Sequence, residues 1–359
     1  VINFFHAIIF LAKMSKTNKV KELFTAKKIA IPIIIGLCVA FYMLWSNTDW
    51  NEFNKVHWGW KSVFWMFIAL LMMAIRDVAY MYRIRIITDK EISWRNSFDV
   101  IMLWEFASAI TPSIVGGTGV ALYILNKEGL SAGKSTALVM ITAFFDELFY
   151  ILTVPVVLLF IGTEYLFPIE LQKEIFGITF SAKGIFVIGY CFTLMLTLII
   201  TFGIFISPKS VKKLLLKIFT LKWLRKMVGN IEQLGDDLIQ TSKELKGKPF
   251  LFWFKAFATT MFSWTARFWV VNFLLLAFTP VTDHLLVYGR QLVMWVIMLI
   301  SPTPGGAGIA EFAFQGFLAD FTPIGLGGLM AVLWRLLSYY PYLFVGAIVL
   351  PKWLKKVYA

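Results

Sequence analysis

Apolar residues fill this chain in long runs, and short basic stretches punctuate them. Runs of that length cross a hydrocarbon layer about 30 Å thick. Six full spans are predicted: Ile29 to Ser46, Ser62 to Ile84, Ser135 to Gly162, Gly184 to Ile206, Phe250 to Phe278 and Gly325 to Leu350. Two further apolar stretches, 98–126 and 285–321, are broken near their middles by proline and glycine. Phe98 to Ile110 makes only about 20 Å of helix at about 1.5 Å per residue, too little to cross. Each stretch is therefore read as a re-entrant hairpin that leaves on the side it entered. The expected class is all-α, a polytopic membrane helical bundle of six spans and two re-entrant hairpins.

The two breaks resemble one another. Ile300-Ser301-Pro302-Thr303-Pro304-Gly305-Gly306-Ala307-Gly308-Ile309-Ala310 precedes Glu311, and Ile110-Thr111-Pro112-Ser113-Ile114-Val115-Gly116-Gly117-Thr118-Gly119-Val120-Ala121 repeats its order. Proline removes a backbone donor and glycine permits positive φ, so neither copy fits inside one continuous helix. Irregular backbone survives in a bilayer only where protein buries it or where it lines a wet cavity. Helix N-termini are expected to follow Gly117-Thr118-Gly119 and Gly306-Ala307-Gly308, offering free N–H groups to an anion. Arg76 and Arg267 are 191 residues apart, Pro112 and Pro302 190, and Gly116 and Gly305 189. The shared offset predicts an inverted duplication, with repeats over 29–162 and 184–350 inserted in opposite senses.

Charge fixes the orientation. The chain is 59% hydrophobic, 15% charged and carries a formal net charge of +13. The excess flanks the apolar runs, so topology and anionic lipid explain it and nucleic acid does not. A basic segment, 1–28, and a basic tail, 351–359, place both termini in the cytoplasm of a bacterial inner-membrane protein. Between the fourth and fifth spans, 208–247 sets apolar positions at helical spacing opposite lysines, the pattern of an amphipathic helix on the inner leaflet. Cys38 and Cys191 both fall in spans and suggest no disulfide; the three histidines lack metal-ligand spacing. No cofactor is expected.

An ionisable group at mid-membrane costs about 2.5 to 3.5 kcal/mol or more and faces the protein interior or a wet cavity. The predicted cavity set is Arg76, Glu105, Asp146, Glu147, Arg267, Glu311 and Arg335. On the functional reading the arginines meet an anion, since guanidinium presents a planar fork suited to phosphate. On the bland reading they are internal ion pairs, Arg76 with the neighbourhood of Asp77 and Arg335 with Glu147 or Glu311. Gly-Gly-x-Gly follows no strand and closes on no Lys-Ser or Lys-Thr, so a nucleotide site is not indicated.

Pro304-Gly305-Gly306-Ala307-Gly308-Ile309-Ala310-Glu311, followed by a span containing Trp334-Arg335-Leu336-Leu337-Ser338-Tyr339-Tyr340, resembles the hairpin and following helix of the lysylphosphatidylglycerol synthase transmembrane-region family. The resemblance implies a flippase-like membrane protein in which Gly305, Gly306, Gly308 and Glu311 shape the second hairpin and Arg335 faces the cavity. Where that family often carries an acidic and then a basic residue after the first glycine cluster, this chain has Val120, Ala121, Leu122 and Tyr123; its Asp146-Glu147 lacks the family's neighbouring arginine. The leading expectation is a transporter of anionic phospholipid or polyprenyl phosphate-linked lipid headgroups. An intramembrane lipid transferase using Asp146, Glu147 or Glu311 as base is the alternative, and a scaffold without transport the third. Self-association is compatible with the sequence.

Overall fold

The computed structural model describes residues 34, 38, 41–42, 44–46, 49–54, 56, 58–111, 113–168, 172–175, 178–219, 228–298, 303 and 306–358. The predicted first span and the segment 1–28 lie largely or wholly outside these, as do Pro112, Pro302, Pro304 and Gly305.

The elements in order are α1 (Trp50–Asn54), α2 (Trp60–Ile87), α3 (Trp94–Ile110), α4 (Ser113–Lys127), α5 (Ala132–Ile161), α6 (Thr163–Leu166), β1 (Gln172–Ile175), β2 (Ile178–Ser181), α7 (Ala182–Thr201), α8 (Pro208–Phe219), α9 (Val228–Lys246), α10 (Phe250–Leu276), α11 (His284–Met298), α12 (Ile309–Leu318), α13 (Gly327–Ser338) and α14 (Tyr340–Tyr358). Strands β1 and β2 pair antiparallel as a short ribbon; helix and connecting segments make up the rest of the described chain. Sequence sets the helix ends. Ser93, Ser131 and Ser181 each accept a hydrogen bond from the backbone N–H three residues on, at 3.1, 3.2 and 3.0 Å, which starts α3, α5 and α7. Gly162, with φ +85, ends α5.

Among the described residues, four stretches are long and apolar enough to cross a membrane: α2, α5, α7 with its π-helical extension to Ile206, and α13 with α14. Helix α10 has 27 residues, but Lys255, Arg267 and its tryptophans make it more polar. The centre of the molecule is the antiparallel pair α2 and α10. Ser62 Oγ donates to the Ala277 carbonyl at 2.8 Å near one end, Ser263 Oγ to the Arg76 carbonyl at 3.2 Å further along, and Arg83 Nη1 to Thr260 Oγ1 at 3.0 Å beyond that. An aromatic cluster of Phe149, Tyr150, Trp264, Phe268 and Trp295 joins α5, α10 and α11 around this axis.

Several expectations change. Gly116, Gly117 and Gly119 do not precede a helix; they lie inside α4, which begins at Ser113. Thr111, the residue before Pro112, is extended at φ −105 and ψ 141, the conformation a following proline ring favours, and α3 ends there. Gly117 then serves close packing, since a Cβ there would strike Ser108 of α3. The insert 208–247 supplies two helices, and α9 packs on protein: its Leu238 and Leu245 are buried, and Gly133 of α5 leaves no room for a Cβ beside Asp237. The tail is not free either. Helix α14 runs through it to Tyr358, with Trp353 buried and donating to Glu128 Oε1 at 2.7 Å. The last predicted span is divided at Tyr339 between α13 and α14.

Candidate functional site

A cavity of about 360 Å³ lies between α2, α3, α5, α10, α11 and α13. Of the seven predicted residues, Arg76, Glu105, Asp146, Glu147, Arg267 and Arg335 line it. Both chain breaks reach it, the first through Thr111 and Thr118 and the second through Thr303 and Gly306.

Helix α2 brings two arginines to one face, seven residues apart, with Tyr80 between them. The Arg76 guanidinium lies 4.6 Å and that of Arg83 4.5 Å from the Tyr80 ring centre, so the phenol is held between two cations. Arg76 is fully enclosed. Its Nη1 donates to Asp77 Oδ1 at 2.9 Å and to the Tyr342 hydroxyl at 2.5 Å, and its Nη2 to Glu105 Oε1 at 2.5 Å. Tyr342 passes the polarity on by donating to Asp77 Oδ1 at 2.8 Å. Arg83 holds Asp146 with both terminal nitrogens, at 2.6 and 3.3 Å, and Trp264 Nε1 donates to the same carboxylate at 2.9 Å. Answering them in this way matters, because removing one partner of a buried pair leaves an uncompensated charge that costs several kcal/mol.

The second break is built from its glycines. Gly306 and Gly308 take φ +71 and +83, a region that side chains avoid. Gly308 then caps α12, and its N–H donates to Glu311 Oε2 at 2.7 Å, so the carboxylate closes the helix start on itself. Glu311 Oε1 faces Arg335 Nε at 3.0 Å. Glu311 does not line the cavity; it is buried behind Arg335 and positions that side chain, whose guanidinium lies 3.8 Å from the Tyr339 ring centre. The predicted pairing of Arg335 with Glu311 is present, while Glu147 takes no part in it.

Two charges are left over. Arg267 has no carboxylate at salt-bridge distance among the described residues; it lies against Trp295 at 4.2 Å and Trp264 at 5.3 Å, facing the cavity. Glu147 has no cation at salt-bridge distance among them, and its Oε2 is buried without a partner. Arg83, near the end of α2, is not in the predicted set. Its spacing of i, i+4 and i+7 with Arg76 and Tyr80 placed it on the same helix face. Asp77, Tyr80, Tyr342 and Trp264 were likewise passed over as site residues. Among the described residues no cluster of His, Cys, Asp and Glu could hold a metal.

The chain matches the family model described as the lysylphosphatidylglycerol synthase transmembrane region over residues 29–346. It is similar to a UPF0104 membrane protein of Archaeoglobus fulgidus, 25% identical over 331 residues that cover 89% of this chain and 94% of that one. No solved structure matches. The match spans both breaks, the paired arginines of α2 and Arg267. The chain belongs to the lysylphosphatidylglycerol synthase transmembrane-region family and is a membrane protein.

Proposed function

We propose that the protein carries lipid headgroups between leaflets, with the cavity as the polar chamber through which the headgroup passes. One observation carries this reading: both chain breaks and the guanidinium of Arg267, which no carboxylate of the described residues pairs, meet at a single cavity inside an apolar bundle. A volume of about 360 Å³ suits a headgroup and not a whole lipid, so the acyl chains stay in hydrocarbon. A guanidinium held on two indoles, with its face fixed and its edge free, offers a phosphate two parallel N–H donors.

The proposal includes six spans and two re-entrant hairpins in an inverted repeat, its repeats over 29–162 and 184–350 and its termini in the cytoplasm. Contacts related by the offset of 191 support it. Asp99 in α3 meets Lys356 at the end of α14, at 3.7 Å. Moving both residues by that offset gives Arg290 in α11 and Tyr165 in α6, and Arg290 Nε donates to the Tyr165 carbonyl at 2.8 Å. Lys356 also pairs with Glu128 just beyond α4, at 2.8 Å, and Arg290 with Asp320 just beyond α12, at 2.7 Å. Each hairpin is thus tied at its base, and to the segment just past the last span of the opposite repeat.

The transferase alternative needs a free carboxylate at the cavity. Asp146 is taken up by Arg83 and Trp264, and Glu311 by Gly308 and Arg335, which leaves only Glu147. Full-length protein in liposomes tests the transport reading with fluorescent phospholipids and a polyprenyl phosphate. Transfer faster than in empty vesicles, lost in Arg267→Gln, supports it. Transfer no faster than in empty vesicles for every lipid sinks it, and appearance of a modified lipid would turn the case to the transferase.

A further inference from the structure

The charge balance of the cavity names the headgroup more closely. Three of its guanidiniums are answered by carboxylates of the protein, as described above, and the acids of the network outnumber its arginines by one. A headgroup bearing only negative charge would enter a site with no net positive charge to receive it. The leftover pair is a cation and a carboxyl group that no cation answers, Arg267 and Glu147. Hydroxyls on the same helix as Glu147 are also unspent: Thr142 Oγ1 and the Tyr150 hydroxyl are buried without partners among the described residues, and both side chains line the cavity. Buried polar groups of that kind are costly until something bonds to them. A carboxylate and two hydroxyl oxygens can accept three hydrogen bonds, and a primary ammonium has three N–H groups to give.

We propose that the headgroup is zwitterionic, a phosphodiester joined to a primary amine, with its phosphate on Arg267 and its ammonium on Glu147, Thr142 and Tyr150. This rests on the transport reading for its biological sense, but binding can be measured apart from transport. A quaternary ammonium has no N–H and leaves the hydroxyls unsatisfied; a glycerol headgroup has no charge for Glu147. The site therefore ranks an ethanolamine headgroup above both.

The experiment sets short-chain phosphatidylethanolamine against short-chain phosphatidylglycerol and phosphatidylcholine on the detergent-solubilised full chain, read by native mass spectrometry. Phosphatidylethanolamine is expected to bind on the order of tenfold more tightly than either, the scale of one charged hydrogen-bonded contact. Glu147→Gln should bring the three toward equality, Thr142→Val should narrow the gap, and Arg267→Gln should weaken all three. Phosphatidylglycerol binding as well as phosphatidylethanolamine, or a preference unchanged in both Glu147→Gln and Thr142→Val, would overturn the assignment. If liposomes move no lipid while the ethanolamine preference holds, transport fails and the headgroup assignment stands; lipid movement without preference gives the reverse.

Discussion

At the scale of single residues, the cavity divides its arginines into two kinds, and substitution separates them. Arg83 answers Asp146, so Arg83→Gln leaves a half-buried carboxylate at the cavity short of its cation. The expected loss is about 3 to 5 kcal/mol, seen as a lower thermal midpoint in detergent. Arg267→Gln removes a cation that answers no carboxylate of the described protein and should cost much less stability while removing transport. Equal destabilisation by the two would make Arg267 a structural residue. Gly308→Ala tests the second break, because a side chain at φ +83 costs about 1 to 3 kcal/mol. The same scale shows what the sequence could and could not reveal. The ionisable residues stood out because lipid tolerates so few of them. Which arginine had a partner depended on contacts such as Arg76 with Tyr342, 266 residues away, and no local pattern carries that.

Elements were more legible at their ends than in their relations. Serine caps and the pre-proline Thr111 mark where helices begin and stop. The glycines of the first break misled because the same residue serves two ends, freeing the backbone in one place and letting helices touch in another. Gly346 is of the second sort: a Cβ there would drive into the Phe106 ring, so α14 lies directly on α3. Gly346→Val should cost about 1 to 3 kcal/mol by overpacking, with a lower midpoint of unfolding. Gly59→Ala, whose added methyl meets open space, is the control and should leave that midpoint nearly unchanged.

For the whole molecule, the offset of 191 was legible as a repeated spacing, while the antiparallel packing of α2 on α10 beside the cavity was not. The proposed orientation makes a prediction of its own. A membrane-impermeant thiol reagent applied from outside, after removal of Cys38 and Cys191, should label Glu164→Cys in α6 and spare Lys127→Cys at the end of α4. Both native side chains are exposed, so access and not burial decides the result. Labelling of both from one side would reject the opposed hairpins.

The ion pairs of α2 also bear on how the chain is made. Arg76, Asp77 and Arg83 leave the ribosome inside one span, yet Asp146 follows Arg83 by 63 residues and Thr260 by 177. Until they arrive, α2 is a poor candidate for partition into lipid on its own, each central charge weighing about 2.5 to 3.5 kcal/mol against insertion. Its integration should therefore be delayed at the translocon until α5 has been synthesised. A glycosylation reporter fused after residue 90 should report incomplete insertion, and one fused after residue 162 full insertion.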